Sequence, residues 1–141
     1  GLGDVYKRQL KQFLSHHGFP AGPMLLTDWG PTETGFFRSG QEHKRVQLRN
    51  LLIACPDMQW ILIGDDGQHD PLTYGDVANE HPDRIHSVII RNLSPQEQLL
   101  SHGSLIPLAD ANEEGNFAIP LIQGANGRAI TTAFNAAHPE E

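Results

Sequence analysis

Residues 59–71 read Gln59-Trp60-Ile61-Leu62-Ile63-Gly64-Asp65-Asp66-Gly67-Gln68-His69-Asp70-Pro71. The first half is an unbroken apolar run with no alternation. Such a run predicts a strand over 59–64 buried on both faces, as in a parallel sheet covered by helices. The second half turns abruptly polar. Asp70 followed by Pro71 has the order of an N-cap and the first helical residue. The helix it opens ends near His81, with Pro82 just beyond. Residues 84–91 hold Ile85, Val88, Ile89 and Ile90 and predict a second buried strand. Strand, helix and strand with short links make a right-handed βαβ unit, so the fold class is α/β with a mostly parallel sheet.

Upstream, Ser39-Gly40-Gln41-Glu42 fits a capping box, in which Ser39 bonds free backbone N–H groups and Glu42 reaches back. Leu48, Leu51, Leu52 and Cys55 then recur at i, i+3, i+4 and i+7, with Lys44, Arg45, Gln47 and Arg49 on the other face. That is an amphipathic helix, closed by Pro56. Residues 23–27 carry the short apolar run Met24-Leu25-Leu26 between glycines and predict a buried strand; 31–38 read as a polar loop with Phe36 and Phe37. Residues 10–17 look like the end of a helix stopped by Gly18 and Pro20. Residues 1–9, GLGDVYKRQ, resemble an adaptor-derived stretch and are set apart from the fold, leaving 10–141 as the domain. Downstream, Ser94-Pro95-Gln96-Glu97 predicts a helix start, 104–108 an edge strand interrupted by Pro107, and 109–116 a polar loop. Over 119–141 the pattern gives only a turn at Gly124 and Gly127.

Composition limits the function. A chain of 141 residues with 38% apolar and 19% charged residues suits one globular domain. A net charge of -7 excludes nucleic acid as the main partner, because phosphate backbones need clustered Lys and Arg. A single cysteine, Cys55, permits no internal disulfide and points to a reducing, cytoplasmic setting. No apolar run has the length of a membrane span.

The chemistry concentrates where the apolar run ends. Ligand sites in open α/β sheets lie at the carboxyl ends of strands. Asp65 and Asp66 put carboxylates there, and Asp70 adds another across a short loop. Two readings of the spacing stand side by side. Hard oxygen ligands suit Mg²⁺, which needs only one or two carboxylates; Asp-Asp-Gly also makes a good turn, with Asp70 as a helix cap. Lys44, with His43 beside it, lies in the opening turns of its helix, the unfavourable end of the dipole for a cation. An anionic substrate would hold it there; a solvated polar face is the plainer reading. The histidines His16, His17, His43 and His69 have no zinc-site spacing. No nucleophile-elbow serine, phosphate-binding glycine loop or dinucleotide motif occurs.

In order, GFPAGPMLLTDWG, FFRSGQEHK, WILIGDDGQHDPLTY and HPDRIHSVIIRN resemble the catalytic domains of yeast-type actin-patch phosphatidate phosphatases and their bacterial relatives, within the haloacid dehalogenase superfamily. The resemblance is strongest over residues 10–92. It implies a Rossmannoid parallel sheet and a Mg²⁺-dependent phosphatase that works through an aspartyl-phosphate. By resemblance Lys44 is the catalytic lysine, and Asp65 and Asp70 hold Mg²⁺ with Asp66 as a further contributor. Ser39, His43 and Gln68 are then substrate-binding positions. The expected substrate is a phosphorylated small molecule or lipid such as phosphatidate. The Asp-x-Asp-Asp-Thr run that would supply the nucleophile and the general acid is absent from this chain. The expectation is therefore a C-terminal part of the domain, its nucleophile upstream and the fragment alone inactive. A lipid- or phosphate-binding relative without catalysis is the alternative. A response-regulator-like α/β domain also accommodates Gly64-Asp65-Asp66.

Overall fold

The computed structural model describes residues 2–25, 38–67, 69–102 and 118–139. The chain divides into two compact units, Gly1–His43 and Lys44–Glu141.

In the first unit, helix α1 spans Leu2–His16, so residues 2–9 continue the helix predicted over 10–17. Gly18 ends it with φ 73°, a left-handed conformation that glycine takes without Cβ strain. Gly18 N–H donates to the Ser15 carbonyl (3.2 Å) and Phe19 N–H to that of Leu14 (3.0 Å). This pair of bonds is the Schellman closure. The strand expected over 23–27 does not form in its described part. Residues 23–25 carry no strand pairing, and Leu25 is exposed. An apolar run this short, with Pro23 lacking an N–H, has little to stabilise it as a strand. Phe36 and Phe37 lie outside the described residues.

Helix α2 spans Arg38–Ala54 and crosses from the first unit into the second. Its backbone is already helical at Arg38, so Ser39 sits within the first turn and not at the N-cap. The predicted boundary is late by about one residue, the ordinary uncertainty at a helix end.

The second unit continues with β1 (Trp60–Asp65), α3 (Asp70–Glu80), β2 (Ile85–Arg91), α4 (Pro95–His102), β3 (Leu121–Gly124) and α5 (Gly127–Ala137). The strands form one parallel sheet in the order β1-β2-β3. The α/β parallel class is therefore the observed one. Leu62 pairs with Val88, Ile63 with Ile89 and Asp65 with Arg91, while Val88 pairs with Leu121. Central β2 is buried from Ile85 to Ile90 except at His86. Leu62, Val88 and Ile90 pack with Leu52, Val77 and Ala78, so α2 and α3 cover one face of the sheet.

Strand β1 is not buried on both faces. Leu62 is 5% exposed, whereas Ile61 and Ile63 are 45% and 67% exposed. Among the described residues β1 is an edge strand, paired to β2 alone and covered on the Leu62 face. An unbroken apolar run does not by itself say which faces are covered.

Two side chains fix the ends of the helices. Arg84, in the turn before β2, donates to the carbonyls of Cys55 (2.6 Å), Met58 (3.1 Å) and Leu52 (3.3 Å). The last turn of α2 has no basic residue of its own. Arg84 therefore satisfies carbonyls that the helix end leaves open. At α4, Ser94 N–H donates to Glu97 Oε2 (2.9 Å) and Glu97 N–H to Ser94 Oγ (3.4 Å), the reciprocal capping box. Arg91 also pairs with Glu97. The positions 104–108 and 109–116 lie outside the described residues. Strand β3 and helix α5 went unpredicted. The Gly124–Gly127 turn joins them, and Asn126 caps α5 by accepting from Ala129 N–H (3.0 Å).

Candidate functional site

Three elements bring charge to the carboxyl edge of β1. Strand β1 ends at Asp65, α3 opens at Asp70, and the early turns of α2 carry Lys44. Lys44 Nζ donates to Asp70 Oδ1. The Asp70 side chain is 11% exposed and that of Lys44 42%, so the pair joins a buried carboxylate to a reachable ammonium. An ammonium has three N–H donors, and one bond to Asp70 leaves others for a ligand.

Asp70 is not the N-cap expected from the sequence. His69 stands there, without a side-chain capping bond, and Asp70 is the first helical residue. The Asp70 carboxylate is therefore not spent on its own helix and stays available to Lys44. A carboxylate in the first turn also gains from the helix dipole. Gly64 makes room for it. A Cβ at position 64 would fall 2.5 Å from Asp70 Oδ2 and 2.7 Å from Tyr74 Cε2.

Asp65 Oδ1 accepts from Gly67 N–H (3.0 Å), closing the turn after β1 on its own carboxylate. Among the described residues neither Asp65 Oδ2 nor Asp70 Oδ2 accepts a hydrogen bond. Tyr74 lies close to both carboxylates. Burial pushes its phenol up to about 12, and the negative charges of Asp70 and Asp65 push in the same direction. The neutral hydroxyl donates to the Ile63 carbonyl (3.3 Å). Sequence reading passed over Tyr74. Its signal was the i, i+4 spacing from Asp70, which puts both on one helix face.

Asp66 is engaged differently. Its Oδ1 accepts from Leu93 N–H (2.8 Å) and its Oδ2 from Asn92 Nδ2 (3.3 Å), both just beyond β2. His43 belongs to the first unit, where its Nε2 is 3.4 Å from the Leu25 carbonyl oxygen. Gln68 and the Ser39 side chain lie outside the described residues. Arg45 and Arg49, read as a solvent face, pair with Asp76 and Glu80 along α3.

No group of three or more His, Cys, Asp or Glu gathers among the described residues. Two carboxylates, each with an unengaged oxygen, are a donor set suited to a hard cation that keeps several waters, as Mg²⁺ does. With Lys44 paired to Asp70, the edge carries both signs of charge.

The sequence model of "Phosphatidate phosphatase APP1, catalytic domain" matches residues 4–92, which include Lys44, Asp65, Asp70 and Tyr74. The chain belongs to the phosphatidate phosphatase APP1 catalytic-domain family. It is similar to phosphatidate phosphatase APP1 of Saccharomyces cerevisiae (strain ATCC 204508 / S288c), with 30% identity over 83 residues. That alignment covers 58% of this chain and 14% of the yeast protein, so the chain spans a small part of that relative. No solved structure matches. The APP1 family match ends at Asn92, and α4, β3 and α5 lie beyond it. Among the described residues no helix is long and apolar enough to cross a membrane.

Proposed function

We propose that this chain is part of a Mg²⁺-dependent phosphomonoester hydrolase that acts on phosphatidate, releasing phosphate and leaving diacylglycerol. The observation that carries the reading is the Lys44–Asp70 pair beside Asp65, at the carboxyl edge of a parallel strand, within the residues matched to the family. Phosphoryl transfer needs positioning and charge neutralisation more than elaborate covalent chemistry. Asp65 and Asp70 would hold Mg²⁺ by their unengaged oxygens. When bound, Mg²⁺ supplies positive charge to the phosphoryl oxygens. Lys44 neutralises a further oxygen and keeps its place through Asp70. Tyr74, neutral over the working pH range, supports the end of β1 without adding negative charge to the site.

The attacking carboxylate and its acid–base partner would come from upstream sequence of a haloacid-dehalogenase-like domain. In this scheme the carboxylate forms an aspartyl-phosphate, which splits hydrolysis into two displacements. The test is phosphate release from phosphatidate and from an aryl phosphate by the full-length gene product, with Mg²⁺ and with EDTA. Metal-dependent release that Lys44→Ala lowers in kcat is expected. Tight phosphatidate binding without release would identify a non-catalytic relative and overturn the proposal.

A further inference from the structure

Asp66 faces away from the role its neighbours play. Both of its carboxylate oxygens accept hydrogen bonds from residues just past β2, Leu93 N–H at 2.8 Å and Asn92 Nδ2 at 3.3 Å. Its own N–H donates to the Arg91 carbonyl (3.1 Å). The link continues across the sheet. Asn92 Nδ2 also donates to Gln123 Oε1 (3.3 Å), and Asn92 N–H donates to the Gly124 carbonyl (3.0 Å). The ends of all three strands are thus laced together at the edge that carries Asp65.

The next residue is held as closely. Ser101 Oγ of α4 lies within hydrogen-bond distance of the Gly67 carbonyl (3.2 Å) and of the Gln98 carbonyl of its own helix (3.0 Å). A Cβ at position 67 would collide with the Leu93 side chain and fall 2.7 Å from Ser101 Oγ. Gly67 N–H in turn is the donor to Asp65 Oδ1. The orientation of the Asp65 carboxylate therefore depends on a turn fixed from the β2 side.

We infer that Asp66 is a positioning residue and not a metal ligand: by bridging Leu93 and Asn92 it fixes the turn whose Gly67 N–H holds the Asp65 carboxylate. The inference rests on the proposed metal site. Outer-shell groups of this kind orient the ligands, and removing them lowers metal affinity or activity about 10–100-fold.

Asparagine and alanine separate the two roles. The Asp66→Asn side chain keeps an oxygen for Leu93 N–H, and its amide is accommodated if Asn92 and Gln123 turn their amides over. The Asp66→Ala change leaves Leu93 N–H without its acceptor. A metal ligand would instead suffer in both variants, because each removes the charge.

The experiment is Mn²⁺ binding by the full-length gene product, followed by electron paramagnetic resonance, with the Leu93 amide followed by hydrogen exchange and the thermal midpoint by circular dichroism. Asp66→Ala is expected to weaken Mn²⁺ binding at least about tenfold and to expose the Leu93 amide to exchange. Asp66→Asn is expected to stay within about fivefold of the parent, well short of that outer-shell loss, with the Leu93 amide still protected. Asp65→Asn serves as the ligand control. Equal losses in Asp66→Asn and Asp66→Ala would overturn the positioning role and make Asp66 a ligand. Undiminished binding in Asp66→Ala would overturn it as well. A parent chain that binds no Mn²⁺, with Leu93 protected as expected, would overturn the proposed metal site and this role with it while leaving the link between the strand ends intact.

Discussion

Lys44 and Asp70, 26 positions apart in sequence, meet in an ion pair that joins the early turns of α2 to the first turn of α3. Asp70 is the buried partner and Lys44 the reachable one. The pair therefore serves both the packing of the two helices and the charge of the candidate site.

Removing Lys44 should cost stability as well as turnover. Lys44→Ala leaves the Asp70 carboxylate buried without its cation, a loss of about 1–2 kcal/mol once the exposure of Lys44 is allowed for. The check is urea denaturation of Lys44→Ala, Asp70→Ala and the double variant. A coupling of about 0.5–1 kcal/mol is expected for residues in direct contact; additive losses would show that the pair contributes nothing.

Gly64 tests the space around Asp70. The Cβ of Gly64→Ala would meet Asp70 Oδ2 and the Tyr74 ring at distances no pair of atoms tolerates. Overpacking of this kind costs about 1–3 kcal/mol and displaces the carboxylate. A lowered urea midpoint together with weaker metal binding is expected. Unchanged metal affinity would mean that Asp70 Oδ2 is not a ligand.

Arg84 holds the far end of α2. Its bonds to Leu52, Cys55 and Met58 carbonyls are made by a charged donor. Arg84→Ala should destabilise the chain by about 1.5–3 kcal/mol, measured by thermal or urea unfolding. Arg84→Lys should recover only part, because one ammonium does not reproduce the guanidinium fork.

Glu97 gives the pH dependence a sign. The Ser94 backbone bond, then the Arg91 and Ser94 side chains, hold its carboxyl down to about 2 against an ordinary 4.5. A depressed folded value stabilises the folded form at any pH above 4.5, and that contribution fades as pH falls from 4.5 toward 2. The stability gap between the parent and Glu97→Gln should be constant above this window and close within it. A gap that persists unchanged at pH 2 would contradict the assignment.

The sequence made some of this legible and hid the rest for physical reasons. The β1-α3-β2 unit followed from two long apolar runs around Asp70-Pro71. Glu97 and Ser94 announced α4 by their spacing. The exposure of Ile61 and Ile63 was hidden, since an apolar run reports hydrophobicity and not which faces find partners. The one-residue shift that makes Asp70 helical was hidden too, because Asp suits both the cap and the first turn. That shift matters for the site, as it frees the carboxylate for Lys44. Strand β3 is four residues long and falls below what a pattern detects. The engagement of Asp66 with Leu93 and Asn92 depends on strand register, which no local pattern contains.

Whether Asp65 and Asp70 hold a catalytic metal is decided by the Mg²⁺ dependence of phosphate release from phosphatidate by the full-length gene product, compared between the parent and Asp65→Asn. Turnover that EDTA abolishes is expected, with an apparent Mg²⁺ affinity at least about tenfold weaker in Asp65→Asn, because one of two carboxylate ligands loses its charge. Release that persists in EDTA, or a Mg²⁺ dependence indifferent to Asp65→Asn, would contradict that metal site.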